Sequence, residues 1–402
     1  MSFSFDNLYS DRAAPARVFG SSKRAKYDFA VAYPDPDTLP LDTLLDSLKR
    51  AFEEDGDYLA LYAHMQGYPP LREYIAKKLE RDRNIKVSAD EIVVGDGSGQ
   101  PNHLIIETLT NPGDVLFTDD FIYSGTLGQM RRFGADIRGI ATDEHGMIPE
   151  ALEEAILKAR GEGKVTKLVY LVPTFQNPQG WTLPLERRKA ILAISHKYDL
   201  PILEDDCYVD LRYDGEDVTS IYSLDQASDD PGRVIYVGSF SKIIAPGMRL
   251  GYFTGPTEFI QRAFGAKGTG SNTFSGFAVY QFAMNYLSDH IEMSNDLQRL
   301  KRDAMLAALE EHFSSDPEVT WSRPDGGLYI WLKLRSEADT LAIRDDMVEQ
   351  FDVGYQAGTI FAPDQSSGKN CLRICYGYNT PEEIGEGIGR LAEGFRHFGQ
   401  LA

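Results

Sequence analysis

Seven short apolar runs, separated by amphipathic stretches, constrain this chain more than any other feature. They are EIVVG (91–95), VLFTDD (115–120), ADIRGIA (135–141), KLVYLVP (167–173), PILEDD (201–206), RVIYVGSF (233–240) and RLGYFTG (249–255). Most are rich in β-branched or aromatic residues and bounded by Gly, Pro or Asp, as buried strands are. Helical patterns lie between several of them. In LERRKAILAISHKYD (185–199), Leu185, Ile191, Leu192 and Ile194 fall on one apolar stripe. The alternation predicts an α/β fold with a mostly parallel, seven-stranded sheet covered by helices. Ligands then belong beyond the carboxyl ends of the strands.

Further on the pattern changes. A charged helical stretch at about 288–315 leads into VTWSRPDGGLYIWLKL, another helical piece, CLRICYGY and a final helix. That order predicts a smaller α+β domain over 288–402. The opening residues are irregular and proline-bearing (YPDPDTLP). The expected division is therefore an N-terminal segment, 1–44, joining the small domain, then a large ligand-binding domain, 45–287, and the small domain.

Composition excludes several classes of function. With 61 acidic against 41 basic residues, a net charge of −20 opposes nucleic acids and anionic membrane surfaces as partners. No apolar run is long enough to span a membrane, and the first twenty residues lack the apolar core of a leader segment. Cys207, Cys371 and Cys375 have no His or carboxylate partners at metal spacing, so neither zinc nor a disulfide framework is expected. A reducing cytoplasm fits so few thiols.

The chemistry concentrates in YVGSFSKIIAPGMRLGYF. Lys242 follows a predicted strand, where alone it would be a solvated lysine. Ser239, Ser241 and Arg249 stand close to it in sequence, and two hydroxyls with a planar guanidinium suit a dianionic phosphate. A lysine beside a phosphate site can form an imine with an aldehyde cofactor and later move a proton as general base. The pattern S-x-S-K-x-x-x-P-G-x-R-x-G, complete here, resembles the lysine motif of the fold-type I pyridoxal 5′-phosphate enzymes, the aspartate aminotransferase superfamily. The match is strongest with the branch of 2-aminoadipate and kynurenine aminotransferases. It runs from about residue 28 to about 395.

The resemblance implies roles residue by residue. Lys242 would hold the cofactor as a Schiff base. Asp205, in LEDDCY (203–208), would keep the pyridine nitrogen protonated, and Tyr208 would donate toward the ring's phenolic oxygen. Glu204, Asp205 and Asp206 could instead form a metal site or a solvated acidic cluster. Asn177, in the N-P-x-G turn of PTFQNPQG, would bond the same oxygen, although an Asn-Pro turn would form there anyway. In GDGSGQPNHLIIETL (95–109), a Gly-rich turn opens a helix, an anion cup by its backbone N–H groups. By the match Ser98, Gly99 and Gln100 hold the phosphate. Tyr123 would stack on the ring, or serve as an ordinary core tyrosine. Arg373, on a predicted strand, would bind the substrate carboxylate, or make a structural salt bridge. Tyr62 would reach the cofactor phosphate of a second subunit, making the protein a homodimer with shared active sites.

The same Gly-rich turn imitates a dinucleotide fingerprint, because Gly95, Gly97 and Gly99 precede Asp119 and Asp120 by roughly twenty residues. The fingerprint requires glycine at 100, where Gln100 stands. Other segments depart from the family: AVAYPDPDTLP (30–40) puts Ala32 and Tyr33 beside the substrate, His64 and Met65 occupy a loop that is usually smaller, Trp181 follows the N-P-x-G turn, and Ala357-Gly358 replaces Pro-Gly. These departures suggest that Tyr33, His64 and Trp181 reshape the substrate pocket. The function implied is transfer of an amino group between an L-amino acid and a 2-oxo acid. The alternative is a lyase or synthase of the same fold carrying out elimination, replacement or cyclisation. A DNA-binding regulator is disfavoured by the acidity of the chain and by an opening segment unlike a helix-turn-helix.

Overall fold

The computed structural model describes residues 8–10, 13 and 24–401. The absence of a leader and most of the first half of segment 1–44 lie outside the described residues. In chain order the strands are β1 (Tyr27–Asp28), β2 (Ile92–Gly95), β3 (Val115–Asp119), β4 (Asp136–Ile140), β5 (Thr142–Asp143), β6 (Gly146–Met147), β7 (Thr166–Leu171), β8 (Ile202–Asp205), β9 (Val234–Ser239) and β10 (Gly251–Thr254). The small-domain strands are β11 (Thr320–Trp321), β12 (Tyr329–Lys333), β13 (Val353–Gly354), β14 (Gln356–Ala357) and β15 (Cys371–Cys375).

All seven apolar runs become strands of one sheet, ordered β2-β10-β9-β8-β7-β3-β4. β10 pairs antiparallel with both β2 and β9, whereas the other neighbours pair in parallel. The carboxyl ends of β2, β3, β7, β8 and β9 therefore lie on one edge, and the turns that leave those ends build the site. Strands β2, β8, β9 and β10 are buried throughout, as strands covered on both faces must be.

A second sheet, β11-β12-β15-β14, is antiparallel. The helix Leu287–Phe313 packs along the helix Pro381–His397 behind it. β1 pairs in parallel with β13, so the N-terminal segment is stitched to this half of the molecule.

The helix Leu185–Tyr198 departs from its expected stripe. Leu185 is exposed, while Ile191, Leu192 and Ile194 are buried together with Arg188. The guanidinium of Arg188 donates to the carbonyls of Leu183 (2.9 Å) and Pro173 (2.9 Å) and lies 3.9 Å from Glu204. Glu204 in turn accepts from the N–H groups of Ile221 (2.9 Å) and Tyr222 (2.8 Å). A buried charge with partners of this kind is tolerated where a bare one is not.

Candidate active site

Two loops meet at the start of the helix Gly99–Leu109. Gly97 adopts a left-handed φ of +69°, and a Cβ there would lie 2.5 Å from Arg249 Nη2. A Cβ on Gly251 would lie 2.5 Å from the Gly97 carbonyl carbon. Only glycine permits so close an approach at both positions. Arg249, itself at φ 50°, donates to the carbonyl of Asp96 at 3.0 Å, which holds its guanidinium over the turn. The Gln100 side chain closes the same turn by accepting from the Asp96 N–H at 3.1 Å. The helix's first-turn N–H groups at Gly99 and Gln100 have no intrahelical acceptor. Ser239 Oγ accepts from the Ser241 N–H at 3.1 Å, and Ser241 Oγ is buried without a partner. Together these groups form a cup for an anion.

Deeper in the cleft, Asp205 ends β8. Its Oδ2 accepts from Asn102 Nδ2 (2.7 Å) and Tyr170 Oη (3.0 Å), while Oδ1 is buried with no partner. Burial raises the carboxyl pKa, and hydrogen bonding from Asn102, Tyr170 and the neighbouring Cys207 thiol opposes that rise. Glu204, Asp205 and Asp206 do not converge as a metal set would. Glu204 turns to the backbone of Ile221 and Tyr222, Asp205 to the cleft, and Asp206 to Tyr236 Oη at 3.4 Å.

Lys242 is partly buried, and its Nζ makes one long hydrogen bond, 3.3 Å to the carbonyl of Ala32. No carboxylate pairs with it among the described residues. Burial lowers its pKa; Cys207 and Cys375 oppose this shift, and Arg373 and Arg249 add to it. A surface lysine has none of these properties.

Arg373, buried on β15, lies between Trp331 and Gln356 in register. Its Nη1 donates to Asn177 Oδ1 (3.0 Å), its Nη2 to the carbonyl of Ala30 (2.6 Å), and its Nε is buried without a partner. The guanidinium stacks over Tyr329 (4.4 Å) and Phe361 (5.0 Å). It has no carboxylate partner among the described residues, so the salt-bridge alternative falls. A buried cation without a counter-ion is a place for an anionic ligand.

Asn177 Nδ2 donates to Tyr208 Oη at 3.1 Å, so both ends of its amide are engaged. Tyr208 Oη also lies 3.1 Å from Tyr329 Oη. Tyr123 is 44% exposed rather than a core residue. Its ring fills the space beside Gly125, where a Cβ would come within 2.5 Å of it. Tyr33 stands exposed, edge to face with Tyr378 at 6.4 Å. Tyr62 is fully exposed, and His64 near it is exposed too. Trp181 does not line the pocket. It is buried in the core beside Gly146, with its Nε1 on Gln179 at 3.2 Å.

Three side chains that hold this cleft together, Asn102, Tyr170 and Tyr329, carry no motif. Asn102 leaves one trace in the sequence: it is the polar residue on the otherwise apolar buried face of its helix.

Comparison with known proteins shows the family. Residues 31–391 match the family model described as aminotransferase class I and II. An aromatic-amino-acid aminotransferase of Thermococcus litoralis is 36% identical, over 90% of this chain and 85% of its own. The crystal structure of a multiple substrate aminotransferase from Thermococcus profundus has a TM-score of 0.90 at 32% identity, covering 98% of this chain and 99% of that one. The structure of Pyrococcus horikoshii kynurenine aminotransferase, in complex with PMP, KYN as substrates and KYA as products, has a TM-score of 0.87 at 34% identity, covering 94% and 92%.

Proposed function

The chain belongs to the class I and II aminotransferase family, and we propose that it moves an amino group from an L-amino acid to a 2-oxo acid with pyridoxal 5′-phosphate held at Lys242. One observation carries the reading: Lys242 is an amine without a carboxylate partner among the described residues, on the sheet edge that also holds the unpartnered Asp205 Oδ1, and the uncompensated Arg373 faces it from the second sheet. When bound, the cofactor supplies an aldehyde for amines and a protonated ring that takes up electrons.

The residues present fit that group. The turn at Ser98, Gly99 and Gln100, with Ser239, Ser241 and Arg249, suits the phosphate, and the buried Ser241 Oγ is an unused ligand. Asp205 Oδ1 suits the pyridine N–H, Tyr123 a ring face, and Tyr208 with Asn177 the phenolic oxygen. Arg373 would fix the substrate carboxylate with two parallel N–H bonds. That clamp would hold Cα beside Lys242 Nζ, which takes and returns the Cα proton as general base. A pKa lowered by burial favours the free amine that this role needs.

The test is a half-reaction. Protein loaded with the cofactor, given an amino acid alone, should lose its visible band as the cofactor takes the amine form, and 2-oxoglutarate or pyruvate should restore it. Elimination chemistry with no such cycle across a donor panel would sink the reading in favour of the lyase alternative. Within that panel aromatic donors are expected to react fastest. Exposed Tyr33, next to the Ala32 whose carbonyl meets Lys242, supports this, as do the aromatic and kynurenine substrates in the relatives' names. An apolar pocket discriminates by roughly 10–200-fold.

Arg373→Lys is expected to raise KM for both the amino and the oxo acid by about 10²-fold, the loss of one charged hydrogen bond and of the planar fork. The visible band of the loaded protein should not change. An unaltered KM would assign the carboxylate to another residue.

A second copy of the chain completes the proposed site. Exposed Leu41, Leu45, Phe52, Leu59, Leu61 and Phe274 line the region that carries Tyr62, with the Phe52 and Phe274 rings 5.7 Å apart. Such a surface supports a homodimer in which Tyr62 of the partner subunit reaches the phosphate. Three free thiols support a cytoplasmic setting. Among the described residues no helix is long and apolar enough to cross a membrane.

A further inference from the structure

Tyr329 opens β12 in the segment GGLYIW, and its side chain is buried between two groups of the site. Its ring lies under the Arg373 guanidinium at 4.4 Å and meets the Tyr208 ring edge-on at 5.5 Å and 81°. Its hydroxyl lies 3.1 Å from the Tyr208 hydroxyl, where either oxygen could be the donor.

Counting protons decides the direction. A guanidinium only donates, so the Asn177 atom facing Arg373 is Oδ1 and the atom facing Tyr208 is Nδ2. Tyr208 Oη therefore accepts from Asn177. A tyrosine hydroxyl has one proton and two acceptor positions. If Tyr208 spent its proton on Tyr329, the Tyr329 proton would be buried with no acceptor among the described residues, at the cost of an unsatisfied group. If Tyr329 donates, the proton left over is that of Tyr208, which the phenolic oxygen of the proposed cofactor would accept.

We propose that Tyr329 is a positioning residue: it donates its hydroxyl proton to Tyr208, so that with Asn177 it fills both acceptor positions there and commits the single Tyr208 proton to the cofactor's phenolic oxygen. Two donors on one hydroxyl polarise it and strengthen the bond it gives. Tyr329 touches neither substrate nor cofactor in this scheme. The inference rests on the cofactor reading above.

The experiment titrates the visible band of the loaded protein with pH. A donor at the phenolic oxygen draws off negative charge that would otherwise hold the proton on the nitrogen shared by Lys242 and the cofactor. Weakening that donor raises the measured pKa. Tyr329→Phe keeps the ring, the stack on Arg373 and the edge contact, and removes only the hydroxyl. Its band is expected to titrate about 0.1–0.2 higher, the cooperative share of one neutral hydrogen bond. Tyr208→Phe should shift it further. The double variant should match Tyr208→Phe, because Tyr329 acts through Tyr208. A Tyr329→Phe band that titrates like wild type, or a double variant whose shift is the sum of the two singles, overturns the inference and leaves the cofactor reading standing. A wild-type protein that develops no visible band with the cofactor overturns both.

Discussion

Lys242→Ala protein should still take up pyridoxal 5′-phosphate yet transfer amino groups roughly 10⁴-fold more slowly, because one substitution would remove both the proposed nucleophile and the proposed general base. Borohydride reduction should leave no covalent cofactor on the chain. The other buried lysines explain why none substitutes for it. Lys78 is paired with Asp210 at 2.9 Å and Asp82 at 3.0 Å. Lys301 donates to Asp35 at 2.9 Å and to the Gly377 carbonyl. Lys267 gives one proton each to the Met65 carbonyl (2.6 Å), the Val94 carbonyl (2.8 Å) and Ser271 Oγ (2.9 Å). Burial lowers the Lys267 pKa to about 8, so its three hydrogen bonds to Met65, Val94 and Ser271, rather than a fixed charge, set it apart from Lys242. Lys242, partly buried, has a single 3.3 Å bond and is held least. A reduced adduct in Lys242→Ala, located on any other lysine by mass, would overturn the assignment.

How far this can be seen in advance depends on the range of the interaction. Most of the seven strands are legible because burial on both faces writes a continuous apolar run, a purely local pattern, whereas the edge strand β4, DIRGI, is buried only at Ile140. Lys242, Asp205 and Arg373 are legible because each sits in a short motif, and the fold brings those motifs to one cleft. The supporting side chains are not. Asn102 reaches Asp205 across 103 residues, and Tyr208 meets Tyr329 across 121. No spacing rule connects positions that far apart; only strand order does. The Leu185 stripe fails for the opposite reason. Periodicity alone predicts one apolar face, whereas the helix buries Arg188 against carbonyls that its own sequence does not reveal. Trp181 fails likewise: adjacency to the Asn177 turn suggests the pocket, but the chain turns it into the core beside Gly146.

Asp205→Asn is the sharper probe of what the cofactor site supplies beyond attachment. Both groups facing Oδ2, Asn102 Nδ2 and Tyr170 Oη, are donors, at 2.7 and 3.0 Å. An asparagine must turn its carbonyl toward them and its NH₂ into the cleft. The position that Oδ1 occupies then changes from acceptor to donor. A donor there favours the deprotonated pyridine nitrogen and removes the negative charge that would stabilise a protonated ring. Asp205 as it stands is poised for such a cation. Burial raises its pKa, and a positive partner at Oδ1 would favour its ionised form. The expected result is a fall of about 10³-fold in kcat, the scale of removing one preorganised electrostatic partner from a dry site. KM should change little, because Arg373 still holds the carboxylate, and borohydride should still fix the cofactor to Lys242. That split separates the two halves of the site: attachment persists while turnover collapses. A variant retaining more than about a tenth of wild-type kcat would mean that ring protonation does not depend on Asp205, and that the unpartnered oxygen has some other use.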